Sequence, residues 1–309
     1  MLKRSVILIC LQSIILIAYA QEDSVVSSSF TFNSKKLIFV AGANAAFYTG
    51  SFIALNKAWY ADYEKTGFHF FNDNPEWNQM DKAGHVWSTY HVSRVSNEMW
   101  KWTGLNKNTS AILGGVSGMV YQSVIELQDA YSAQWGFSWG DVAANVAGAG
   151  LFVLQEINNG NQVVAVKLSY WPKKYSPELV DRRNQLFGSS PVERVLKDYN
   201  SQTYWLSINT SKIFKEANFP EWLNIAFGYG ADGMYGGRTN VWTDKEGLTH
   251  DYRDIRRIRK FYLSPDIDLA RIPTRNKFLK SILFVLNVIK VPAPSLQVAT
   301  GKGLKLVIR

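Results

Sequence analysis

The hydrophobic pattern of the chain changes at Gly160. Before it, apolar and small residues recur at helical spacing; after it, apolar and polar residues alternate. Residues 37–56 carry no charge, and Gly42, Ala46, Gly50 and Ala54 recur at every fourth position. Such a stripe predicts a helix that another helix can approach closely. The run suits a bilayer span and a tightly packed core helix alike. Further helices are expected over residues 81–102, 109–129 and 140–157. Gly114 and Gly118 repeat the small-residue spacing in the third helix, and Ala144 and Gly148 repeat it in the fourth. Residues 59–77, broken by Gly67, Asn72, Asp73, Asn74 and Pro75, read as an aromatic loop. Residues 131–139 read as another, ending at Ser138, a good helix start.

After Gly160 the spacing becomes that of strands. Val164, Val166, Leu168 and Tyr170 alternate with Ala165, Lys167 and Ser169, and Pro172 closes the segment. Residues 204–209 and 223–231 repeat the pattern, the second with Gly228 and Gly230 on its other face, and 259–269 and 304–308 add candidates. Five or six strands fall short of the eight or so that a small membrane barrel needs. Residues 279–289 fit helix or strand equally. The expected class is α+β: a small-residue bundle of about four helices over 35–158, followed by an antiparallel sheet or partial barrel over 160–309.

Composition adds a compartment. Residues 1–20 read as a signal peptide: Lys3 and Arg4, then an apolar stretch, then Ala18-Tyr19-Ala20 before Gln21. Residues 24–32 alternate loosely and fit a short strand or a linker. The single cysteine, Cys10, lies inside the signal, so the mature chain is expected to lack disulfides, thiolate metal sites and a cysteine nucleophile. Leu8-Ile9 before Cys10 make a poor lipid-attachment box. Losing Lys3 and Arg4 lowers the net charge of +9 to +7. An exported basic protein meets membrane lipid or another envelope component rather than nucleic acid. The basic run at 255–260 reads as a solvated edge or loop, with anionic lipid as its alternative partner. Aromatic content of 14% suits an interfacial belt or bulky core packing.

Polar residues at helical spacing supply the candidate chemistry. Asp81 and His85 share a helix face, as do Gln122, Glu126 and Asp129, and Asp141 and Asn145. Facing one another, these stripes would assemble carboxylates, one imidazole and amides. That donor set fits a metal, general acid/base work by Glu126 and His85, or a hydrogen-bond network that fastens the helices. Asp81 and Asp141 also fit simple helix starts. His85, Glu126, Asp129 and Asp141 are the catalytic candidates; Asp81, Lys82, His85, Gln122, Glu126, Asp129, Asp141 and Asn145 form the expected binding or structural cluster. No metalloprotease, serine-hydrolase or phosphate-loop signature occurs, and no cofactor is expected.

Asp81-Lys82-x-x-His85, then Glu126-x-x-Asp129, then Ser138-x-Gly140-Asp141-x-x-x-Asn145-x-x-Gly148 resembles the YfiM-like family of predicted periplasmic lipoproteins, a domain of unknown function. More distantly, 35–157 is similar to VanZ-like membrane proteins. The resemblance implies an envelope location, in the periplasm or outer membrane of a Gram-negative-type cell, and no established activity. The reading is an exported, membrane-associated protein that is structural or binding rather than catalytic. Its rival is an enzyme or metal- or lipid-binding protein acting on envelope lipid or cell-wall substrates through the His/carboxylate cluster.

Overall fold

The computed structural model describes residues 32–60, 64–159 and 162–309. The expected signal peptide, Cys10 and all but the end of the 24–32 segment lie outside the described residues. Within them, helices come first and an antiparallel sheet follows, as the periodicity predicts. The chain forms two compact units. One comprises Met1–Asp73, His85–Gln162 and Pro273–Leu286; the other comprises Asn74–Gly84, Val163–Ile272 and Asn287–Arg309.

The helical unit is built on α1 (Ser34–Leu55), α2 (Met80–Trp102, entering the unit at His85), α3 (Lys107–Ala130) and α4 (Trp139–Asn159). Asn33 starts α1 by accepting the amides of Lys35 and Lys36 at 3.0 and 3.1 Å, and Asn106 caps α3 on the Thr109 amide at 2.9 Å. The small residues of α3 and α4 set the packing. A Cβ on Gly114 would stand 2.7 Å from the Ser93 carbonyl, and one on Gly148 2.5 Å from that of Val86. Both glycines therefore let α2 backbone approach where no side chain fits. The stripe on α1 behaves differently: Gly42 and Gly50 have open space where a Cβ would lie. Instead α1 attaches through its polar side, Tyr48 donating to the Ser117 carbonyl at 3.1 Å. Residues 279–289, undecided by periodicity, begin within a helix of this unit, α5 (Lys277–Leu286). Its Phe284 carbonyl accepts from Arg94, whose guanidinium also lies 3.6 Å over the Phe284 ring.

The second unit is organised by a six-stranded antiparallel sheet of order β1-β2-β3-β6-β7-β8: β1 (Val164–Tyr170), β2 (Gln202–Asn209), β3 (Leu223–Asp232), β6 (Ile258–Ile267), β7 (Pro294–Ala299) and β8 (Lys302–Ile308). β4 (Val241–Thr243) and β5 (Thr249–Asp251) form a separate ribbon. β4 and β5 are too short to show alternation, and β7 opens on Pro294. Pro265 is tolerated within β6 because β7 pairs only with Lys260 to Leu263, leaving that side of Pro265 without a ladder bond to lose.

The face of the sheet that is buried is polar. Lys167 meets Asp266 at 2.8 Å with neither side chain exposed; Ser207 donates to Asp266 at 2.6 Å, Asn224 to Ser207 at 2.9 Å, and Asn209 to Asn224 at 2.9 Å. Asp232 on β3 pairs with Lys260 at 2.6 Å and with Lys173. Trp205 and Tyr262 pack among these groups, and Gly228 makes room for the Trp205 ring. The basic run at 255–260, expected as a solvated edge or loop, is built into the fold from Arg257 onward. Arg257 donates to the Gly236 and Gly237 carbonyls and Ile258 opens β6, while Arg256 stays exposed.

Candidate functional site

The site is assembled from α2, α3 and α4. Ser138 caps α4 by accepting the Asp141 amide at 3.2 Å and donating to Asp73 at 2.6 Å. The cap sets Asp141 in the first turn, where a carboxylate meets the positive end of the helix, and sets Asn145 one turn on. His85 projects from α2 toward both. Its Nε2 lies 3.3 Å from Asp141 Oδ1 and its Nδ1 lies 3.1 Å from Asn145 Oδ1. Glu126 of α3, 1% exposed, brings Oε1 to 3.7 Å from Nδ1.

The single hydroxyl proton of Thr89 is shared between Asn145 Oδ1 at 2.9 Å and the His85 carbonyl at 2.7 Å. Each ring nitrogen of His85 thus faces an oxygen acceptor, Nδ1 the Asn145 amide and Nε2 the Asp141 carboxylate. One turn before Glu126, Gln122 donates to Ser88, which donates to the His85 carbonyl at 3.2 Å. Gln122 Oε1 is buried with no hydrogen-bond partner among the described residues.

The expected cluster is thus partly gathered. His85, Glu126, Asp141 and Asn145 converge, and Gln122 adjoins them through Ser88. Asp129 points elsewhere and accepts from Tyr60 at 2.7 Å. Asp81 is the second residue of α2, on the His85 face of the helix; it accepts from Tyr199 at 3.0 Å and from Lys82 at 3.1 Å. Thr89 and Ser88 were not expected. Both carried a usable signal, since Ser88 lies three and Thr89 four residues after His85 and both share its face.

Chemically, His85 with Asp141 and Glu126 offers an imidazole between two carboxylates. The Nε2–Asp141 spacing also suits two ligands of one cation.

Residues 68–157 match a family described as "Predicted periplasmic lipoprotein (DUF2279)". The matched stretch contains α2, α3 and all but the last two residues of α4, and with them the whole cluster. Neither a curated protein nor a solved structure matches the chain. The family description gives a location and no activity.

Proposed function

We propose that this chain is an exported cell-envelope protein embedded in a membrane through its helical unit, with a structural or binding role rather than a catalytic one. The observation that carries this reading is the inverted polarity of the helices. Thr89, Ser93, Asn97, Gln122, Glu126 and Asn145 are buried, while Ile112, Val116, Val120 and Leu127 of α3 and Val146 and Leu154 of α4 are exposed. Water drives the opposite arrangement, and hydrocarbon favours this one, because polar groups inside a bilayer must find partners within the protein.

Other features agree. Among the described residues α1 is long and apolar enough to cross a membrane, and little of it is covered. At the start of α4 the exposed Phe68, Phe70 and Trp139 gather with half-buried Phe137, and Phe70 and Trp139 stack at 6.2 Å. Aromatics of that kind suit the headgroup level. The family description supports export to the periplasmic side of the envelope. The outer membrane is our assignment, on the strength of the strand-rich second unit.

In this reading the His85 cluster fastens three helices whose small residues give them little side-chain bulk to interlock. Carbonate extraction of membranes tests the proposal. Retention in the pellet with release by detergent is expected, and full release into the supernatant by carbonate would overturn it.

The flanking of His85 by Asp141 and Glu126 favours one second reading, a metal- or lipid-binding site or an enzyme acting on envelope substrates. Metal analysis of the purified chain separates the two. Near-stoichiometric metal that disappears in the His85→Ala and Glu126→Gln variants would support the second.

A further inference from the structure

The second unit shows the same inversion on its sheet. Strand register aligns Leu206, Phe227, Leu263, Leu296 and Leu306 in one row across β2, β3, β6, β7 and β8, and all five are exposed. Ile225, Phe261, Val298, Leu304 and Ile308 extend the patch on the same face. The opposite face holds the Lys167–Asp266 pair and the Asn209, Asn224 and Ser207 chain, all buried. A one-sided sheet in water hides its apolar face and wets its polar one. Isolated exposed apolar residues are ordinary, but a contiguous field over five strands marks a contact surface.

The periphery indicates what the surface meets. At the β7–β8 turn, Arg256 reaches toward Gly301, and both Arg256 and Lys302 are exposed cations. At the opposite end, the β2–β3 connection exposes Phe214, Phe219 and Trp222. Cations and aromatics around an apolar field are the complement of an anionic membrane surface. β8 is an outer strand of the sheet, and an open strand edge is not tolerated deep in hydrocarbon. The geometry therefore points to a sheet that lies on the bilayer rather than crossing it.

We propose that the outward face of this sheet rests on the acyl chains of an anionic bilayer, with Arg256 and Lys302 at the headgroups. The proposal builds on the membrane reading above, but concerns a different unit and can fail separately. The test uses the full chain with Cys10→Ser, carrying single cysteines in place of Phe227, Leu263 or Leu306, each labelled with an environment-sensitive fluorophore. Val120→Cys on α3 reports the helical unit, and Lys245→Cys provides a water-exposed reference. The protein is reconstituted in phosphatidylcholine vesicles with or without phosphatidylglycerol.

At the three sheet positions we expect a blue shift and loss of fluorescence to doxyl-labelled acyl chains, with no loss to aqueous iodide. The loss should be larger in the anionic vesicles, and the Arg256→Gln, Lys302→Gln double variant should remove that difference. Quenching by iodide would overturn the proposal by showing a face open to water, and quenching by neither reagent would overturn it by showing a protein partner. Equal quenching in both lipid mixtures would overturn the role of the two cations. Acyl-chain quenching at Val120 alone would leave the helical reading standing and remove this one.

Discussion

Lys167 and Asp266 stand 2.8 Å apart on β1 and β6, neither with exposed surface, and β2 and β3 lie between their strands. The pair ties the far sides of a four-strand stretch together across the interior of the sheet. Lys167 also donates to the Ile267 carbonyl at 2.7 Å, and Asp266 accepts from Ser207. Removing one charge strands the other in a place that water does not reach. Lys167→Met is expected to cost about 3–5 kcal/mol. Paired Lys167→Met, Asp266→Leu should recover much of that loss. Denaturant unfolding of the four corners of this cycle gives the coupling.

His85 joins groups from three helices, so its loss should appear as stability. His85→Ala removes one of the partners of Asn145 and the imidazole beside Asp141, at about 1–3 kcal/mol. The melting temperature in detergent is expected to fall. An unchanged melting temperature together with a lost cellular phenotype would place His85 in a functional site.

Two glycines on equivalent sequence stripes should respond in opposite ways. Gly114→Ala puts a methyl group 2.7 Å from the Ser93 carbonyl, against backbone that has little room to move. Overpacking of this kind costs about 1–3 kcal/mol. Gly42→Ala meets nothing within 4 Å and gains helix propensity of up to about 1 kcal/mol. Thermal melts of the two variants side by side check the contrast.

Glu193 supplies an acid-sensitive point. It closes a capping box with Ser190 at the start of the short helix Pro191–Lys197, accepting from the Ser190 hydroxyl at 2.7 Å and its amide at 3.0 Å. Those bonds to Ser190 hold the Glu193 carboxyl below its ordinary value. A depressed carboxylate stabilises the fold above its unfolded value, near ~4.3, and loses that contribution as pH falls through the folded value. Amide exchange over 190–197 should therefore accelerate on acidification below about pH 4. Glu193→Gln, which keeps the box geometry and removes the titration, should flatten that dependence.

Much of the helical unit was legible along the chain. Uncharged runs, Ser138 and the turn residues around it located α1 to α4, because a helix is specified by neighbours three and four apart. Asp141 with Asn145, and Gln122 with Glu126, were legible as stripes for the same reason. Their partners were not. Asp129 goes to Tyr60, 69 residues away, and Asp81 to Tyr199, 118 residues away. No local spacing distinguishes those destinations from His85. The small-residue stripes on α1 and α3 look alike as sequence, yet one is open and the other packed to contact, since that depends on which helix arrives.

The sequence by itself determined where helices give way to strands and which residues share a face. It did not determine which face is inside. An alternating strand such as β3 reads the same with Ile225 and Phe227 buried or with Asn224 and Gly228 buried, because period-two patterning is symmetric under exchange of faces. The tertiary structure broke that symmetry. Lys167, Ser207 and Asn224 find partners for Asp266 and for one another only across neighbouring strands, and their pairing turns the leucine row outward.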